Sequence, residues 1–161
     1  GPAIATEAEK FPRNSAREIH LPRPMIDSSD FDFSFSGLKT AVLYQLKKIP
    51  VLTSELIQEF AHEFQEAVAE VLVSKTIKAA EECGAKTIAV GGGVSANTRI
   101  SEALKEKTAG SLPDTTLFIA PREFTGDNAV MIGVAAYLRH TLAPKKYPAE
   151  GIFAEGTLRL G

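Results

Sequence analysis

Three observations predict an α/β fold. The order from Thr87 onward reads strand, helix, strand, helix; a long apolar pattern of helical period fills Thr53 to Cys83; and phenylalanines alternate from Phe31 to Phe35. Parallel strands need a crossover long enough to hold a helix, so the first observation implies a parallel pair with helices flanking the sheet. The alternation Phe31-Asp32-Phe33-Ser34-Phe35-Ser36 sets three aromatics against three small polar groups. It predicts a half-buried strand added to the same mixed sheet. At 161 residues, with 44% hydrophobic and 24% charged side chains, the chain can bury one core.

Residues 1–30 hold Pro2, Pro12, Pro22 and Pro24 and few periodic apolar positions, so they are predicted to be irregular, either a linker or a segment laid across a domain outside this chain. Residues 31–161 are predicted to form a single α/β domain. Gly37 turns the chain into a helix with Leu38, Val42 and Leu46 on its apolar side, ended by Lys47, Lys48 and Pro50. The clearest helix starts at Thr53 or Ser54, carries Glu55 in its first turn, and repeats Leu56, Phe60, Phe64, Ala67, Val68 and Val71 before Gly84 stops it. Such a helix would run about 45 Å at ~1.5 Å per residue, and a break or kink is expected in it. A buried strand Thr87–Val90, a turn Gly91–Gly93, a helix from Ala96 to Lys107, a strand Thr115–Ala120 and a helix from Asp127 to His140 follow. The stretch after Pro144 reads as turns with a short edge strand.

A formal net charge of −2 does not mark the whole chain as nucleic-acid binding; such a contact needs a local basic patch or another polypeptide. The single cysteine, Cys83, excludes an internal disulfide and reads as a small half-buried residue at a helix end. No apolar run reaches the ~20 residues of a membrane span and no signal-peptide pattern opens the chain, so a reduced, cytoplasmic setting is expected. His20, His62 and His140 share no metal-ligand spacing, and structural roles are expected for all three. No poised Ser–His–Asp arrangement is signalled.

Three stretches carry candidate chemistry. In Val90-Gly91-Gly92-Gly93-Val94-Ser95-Ala96-Asn97, a strand enters successive glycines and then a helix, which lets backbone approach a ligand and offers N–H groups to an anion or ribose. It lacks the P-loop Lys-Ser/Thr pair and the dinucleotide spacing, and a tight turn with Ser95 as helix cap is the alternative reading. Thr125-Gly126-Asp127-Asn128-Ala129 follows the second strand, on the carboxyl edge where α/β sheets bind ligands; it also reads as a capping sequence. Ser34-Phe35-Ser36-Gly37-Leu38-Lys39-Thr40 offers hydroxyls, a glycine and a lysine to a phosphate, or forms a solvated face with a capping serine.

Phe33-Ser34-Phe35-Ser36-Gly37-Leu38-Lys39-Thr40, Gly91-Gly92-Gly93-Val94-Ser95-Ala96-Asn97 and Gly126-Asp127-Asn128-Ala129-Val130-Met131-Ile132, in this order, resemble the C-terminal half of the TsaD-like family, formerly called glycoproteases. The resemblance covers nearly the whole chain. Gly1-Pro2 resembles the end of the family's Gly-Gly-Pro turn, though it also matches a tag-removal scar. The resemblance implies an RNase H-like half of the actin, sugar-kinase and heat-shock ATPase class of fold. It implies transfer of threonylcarbamoyl from threonylcarbamoyl-AMP to N6 of the tRNA adenosine beside the anticodon, with protein partners from the same modification complex. It also implies a divalent metal, iron or zinc, held by an H-x-x-x-H motif together with the aspartate matching Asp127. Asn97 and Gly1 match substrate contacts, and Gly92, Gly93, Ser36 and Gly37 join them as the expected binding residues. H-x-x-x-H is absent here, so this chain alone is expected neither to bind the metal nor to complete the reaction. The protease name gains no support. A non-catalytic docking subunit of the same complex and a small-molecule kinase of the same superfold are the competing expectations.

Overall fold

The computed structural model describes residues 1–12 and 18–142; the turns and edge strand expected after Pro144 lie outside the described residues. The chain divides into two compact units, Gly1–Gly126 and Asp127–Gly161. The first contains α1 (Pro2–Lys10), α2 (Ser36–Leu46), α3 (Ser54–Glu82), β1 (Thr87–Val90), α4 (Thr98–Ser111) and β2 (Thr116–Ile119). Single 3-10 turns at Gly93–Ala96 and Arg122–Phe124 follow the two strands. The second unit is described through α5 (Ala129–Leu142).

Helix α3 organises the first unit. Thr53 caps it, its hydroxyl accepting from the Leu56 N–H at 3.3 Å. The exposed Glu55 carboxyl in the first turn is held below its usual range by its own backbone N–H and by the Thr53 hydroxyl. At the far end Gly84 takes a left-handed φ of +59°, and the Ala85 N–H and Gly84 N–H donate to the Ala80 and Glu81 carbonyls. That is a Schellman closure, and it explains why glycine follows Cys83. The expected break is absent: α3 runs as one element from Ser54 to Glu82. It contains neither proline nor glycine, so nothing in its sequence opens the hydrogen-bond ladder. Cys83 is exposed rather than half-buried.

Two apolar clusters lie along α3. Toward its start Phe60 and Ala67 bury against Ile19, Leu21 and Leu38. Toward its end Ala69, Val73 and Ile77 bury against Ile100 and Leu104 of α4, with Val90 and Leu117 of the strands packed on them. Val68 touches both clusters.

Strands β1 and β2 pair in parallel, Thr87 with Thr116 through Val90 with Ile119, and α4 connects them. This is the expected strand–helix–strand unit. The expected Phe strand does not join it: among the described residues the sheet has two strands. Phe31 and Phe33 are exposed and Phe35 alone packs on the core. Asp30 instead folds the local chain on itself, accepting from the Ser28 hydroxyl at 2.7 Å and the Asp32 N–H at 3.1 Å. Local side-chain bonds of this kind compete with ladder pairing.

The expectation of irregular backbone to residue 30 also needs correcting. Pro2 occupies the first turn of α1, where its missing N–H costs nothing, and α1 packs on α3 with Ala8 buried and Phe11 5.1 Å from the His62 ring. Residues 18–30 are not helical but are tied down by charged residues of α3. Glu59 accepts from the Glu18 and Ile19 N–H groups at 2.5 and 2.8 Å, and Glu63 accepts from the Leu21 N–H at 3.1 Å and pairs with Arg23. Lys75 donates to the Ser28 and Asp30 carbonyls, and Lys78 to the Ser29 carbonyl. The described part of α5 exposes Val130, Ile132, Val134 and Tyr137. No described helix is long and apolar enough to cross a membrane.

Candidate substrate site

The glycine turn stands at the carboxyl end of β1, as the sequence predicts. Gly92 adopts φ 84° and ψ 167°, a region essentially confined to glycine. A Cβ there would meet nothing within 4 Å, so the requirement comes from the backbone rather than from crowding. The following 3-10 turn is closed by the Ser95 N–H and hydroxyl, both donating to the Gly92 carbonyl, at 3.0 and 2.7 Å.

Ser95 is therefore not the cap of the next helix. Asn97 is: its Oδ1 accepts from the Ile100 N–H at 3.1 Å while its Nδ2 donates to Gln65 Oε1 at 2.8 Å. Helix α4 accordingly begins at Thr98, not Ala96. The expected start at Ala96 put Asn97 in the first turn, but its position before Thr98 makes it a cap and a tie to α3. One donor and one acceptor site of the amide remain for a ligand. Asn97→Ala is expected to destabilise the chain by about 1–2 kcal/mol, from the cap and the Gln65 bond together. Urea unfolding of the parent and variant measures this, and an unchanged midpoint contradicts it. Beside the turn, Arg99 clamps Glu66 through two bonds of 2.6 and 2.8 Å, which raises the guanidinium pKa and fixes α4 on α3.

Ser36 and Gly37 open α2 rather than ending a strand. The Ser36 N–H donates to the Ser34 hydroxyl at 3.4 Å, and the space beside Gly37 is bounded by Pro24, 3.9 Å from a built Cβ. Ser36 lines an apolar groove of about 790 Å³ between α1, α2 and α3, with Ile4, Leu43 and Phe60. Ser95 and Ala96 line a different groove, of about 690 Å³, between α4 and β2, with Lys105 and Arg122. Ser95 and Ala96, just after the glycine turn, and the Ser36 motif thus line separate concavities. Gly1 is the residue before α1, its carbonyl accepting from the Ala5 N–H at 3.2 Å.

In the second unit Asn128 takes the capping role, its Oδ1 accepting from the Met131 N–H at 2.9 Å. Asp127 lies one residue before the Asn128 cap and is exposed. Asp127 therefore does not make this cap, the structural role its sequence context allowed. Among the described residues no three His, Cys, Asp or Glu side chains converge as a metal site. One carboxylate does not hold a divalent ion, so the residues described here do not by themselves fit the implied metal.

The described structure thus has a parallel strand–helix–strand unit, a glycine-only turn at its carboxyl edge and an asparagine-capped helix, within a mixed α/β chain. The chain belongs to the family of tRNA N6-adenosine threonylcarbamoyltransferases, the TsaD family, whose family model matches residues 1–134. It is 41% identical over 130 residues to the protein of that name from Listeria innocua, covering 80% of this chain and 38% of that protein. It is 38% identical over 153 residues to the one from Thermosipho africanus, covering 94% of this chain and 43% of that protein. It is 43% identical over 131 residues to the one from Kosmotoga olearia, covering 81% and 38% respectively. The chain therefore spans about two fifths of the length of the curated relatives it matches.

Proposed function

We propose that this chain is the C-terminal part of a transferase that moves threonylcarbamoyl from threonylcarbamoyl-AMP to N6 of a tRNA adenosine beside the anticodon. The observation that carries the reading is the Gly92 turn at the carboxyl end of β1, in a chain whose relatives are named tRNA N6-adenosine threonylcarbamoyltransferases. A turn stripped of side chains lets backbone lie against a nucleotide, and the carboxyl edge of parallel strands is where such ligands sit. On this reading the fold is one RNase H-like half of an actin-type enzyme, acting in the cytoplasm with the other proteins of the modification complex. Gly92, Gly93 and Asn97 contact the nucleotide portion of the substrate, and Gly1, Ser36 and Gly37, at a separate groove of this chain, contact it only together with residues outside this chain.

Asp127 would hold a divalent metal, iron or zinc, jointly with histidines that this chain does not supply. The bound ion would provide positive charge for a substrate oxygen. This chain's own part in holding the ion is to present the Asp127 carboxylate.

The test supplies threonylcarbamoyl-AMP and tRNA to the isolated chain and to the chain mixed with a full-length relative's H-x-x-x-H portion. No turnover is expected from the chain alone and measurable turnover from the mixture. Asp127→Ala should abolish metal retention in the mixture without changing the melting temperature, because Asn128 caps α5. Turnover by the isolated chain, or normal metal retention by the variant, counts against the reading.

A further inference from the structure

The groove between α1, α2 and α3 and the groove between α4 and β2 differ in chemistry. The first is apolar and carries one charge of each sign, Glu7 and Lys39. The second, of about 690 Å³, carries Lys105 and Arg122, and no acidic residue lines it. Among the described residues neither cation has a carboxylate oxygen within 4.0 Å. Lys86 and Lys107 also lack such a partner but line neither groove. The register of α4 builds the second groove's wall. Thr98, Ser101, Lys105 and Thr108 recur at three and four along one stripe, while Ile100 and Leu104 pack toward α3. Thr108 is the exception on that stripe. It is 4% exposed, and its Oγ1 is the one buried side-chain polar atom among the described residues without a hydrogen-bond partner. Helical threonines elsewhere in the chain donate to the carbonyl four residues back, as Thr40, Thr76 and Thr141 do at 3.0, 2.7 and 2.9 Å. Ser95, Ser101 and Thr115, also on the groove, already donate to the Gly92, Ser95 and Ala85 carbonyls. Thr108 keeps its proton to give.

We propose that the groove between α4 and β2 binds the phosphate group of a small molecule, held by the Lys105 ammonium, the Arg122 guanidinium and the Thr108 hydroxyl. A buried hydroxyl with no partner in the fold is explained by a partner the site takes up. Two cations unanswered by any acid in one concavity select an anion, and a phosphate has the oxygens to meet a point charge, a planar fork and a hydroxyl together. The volume falls within the roughly 300–1,000 Å³ of small-molecule sites, which favours a compact ligand over an extended strand. Gly92, Gly93 and Asn97 do not line this groove. The site therefore goes beyond the transferase reading, and either can fail alone.

The experiment is equilibrium dialysis of the full chain against radiolabelled inorganic phosphate, in chloride buffer of constant ionic strength. The parent should bind one phosphate saturably. Lys105→Gln and Arg122→Gln should each weaken binding roughly ten-fold, the loss of one charged hydrogen bond. Thr108→Val should weaken it about three- to ten-fold while the melting temperature of the phosphate-free chain holds or rises, because an unpaired buried hydroxyl does nothing for the fold. Thr108→Ser, which restores the hydroxyl, should bind like the parent. The double variant Lys86→Gln, Lys107→Gln removes two charges outside the groove and should change affinity less than about two-fold at screening salt. Absence of saturable binding overturns the proposal, and so does an equal loss in the double variant, which reduces the effect to net charge. A Thr108→Val chain that binds like the parent and melts lower assigns the hydroxyl to the fold and overturns it as well. Two competitors settle the ligand's source. Acetate displacing phosphate at equal concentration would make this a carboxylate site. A short single-stranded RNA competing far better per phosphate than inorganic phosphate would make it a nucleic-acid surface. Either result overturns the assignment to a small phosphate-bearing molecule.

Discussion

Glu63→Ala is expected to lower unfolding free energy by about 3 kcal/mol, near the lower end of what breaking a buried ion pair costs. Glu63 is 2% exposed, and its Oε1 receives both the Leu21 N–H and the Arg23 guanidinium. Truncation leaves the buried Leu21 N–H without this acceptor, which alone costs about 1–3 kcal/mol, and opens space beside Phe60 and Ala67. Arg23 is not orphaned, because Glu70 still holds it through bonds of 2.7 and 2.9 Å. Those bonds are the foremost cause of its raised pKa, with Glu63 adding to them and burial opposing. Glu70→Ala removes a partner at the solvent edge, 45% exposed, and should cost only about 0–1 kcal/mol. Paired urea melts of the two variants decide the matter. Equal midpoints would mean that the strap of residues 18–30 is not held by Glu63. The consequence reaches the candidate site, since Pro24 within that strap bounds the space beside Gly37.

The strap also marks where sequence reading ran out. Helix α3, β1 and the start of β2 could be placed from apolar periodicity and the stop at Gly84, because those signals are local. The strap has no periodicity; its order comes from carboxylates and lysines up to 50 residues away, Lys78 bonding back to the Ser28 carbonyl being the longest such link. Nothing in the sequence pattern marks Glu59, Glu63 and Lys75 as buried, and only their partners reveal it. The Phe31–Phe35 alternation failed for the opposite reason. Its local signal was strong, but among the described residues no neighbouring strand supplies a ladder, and alternation without a partner does not make a strand. At the glycine turn the residues were legible while their duties were not: Asn97 and Asn128 proved to be the caps, where Ser95 and Asp127 had equal claim by composition. The motif order that suggests the family was legible throughout, since it depends on residue identity rather than on contacts.

Gly92→Val should weaken both the fold and nucleotide binding, and the two effects can be separated. At φ 84° and ψ 167° any side-chain-bearing residue is strained by roughly 1–3 kcal/mol, and a β-branched one lies at the upper end. Because no atom lies within 4 Å of a built Cβ, none of that loss comes from crowding inside the protein. The added isopropyl group would instead occupy the open space in front of the turn, where the proposed nucleotide lies. Gly84→Ala provides the matched control: it also sits at positive φ with open space, costs about 1–2 kcal/mol, and terminates α3 away from the turn. In the reconstituted enzyme, calorimetry should show Gly92→Val losing at least roughly ten-fold in nucleotide affinity, about 1.4 kcal/mol, at a temperature where both variants are folded. Gly84→Ala should retain the parent's affinity within about two-fold, since a folded site far from the change has no reason to weaken. If Gly92→Val binds as tightly as Gly84→Ala, the glycine serves only the β1-to-α4 connection, and the nucleotide must be sought elsewhere.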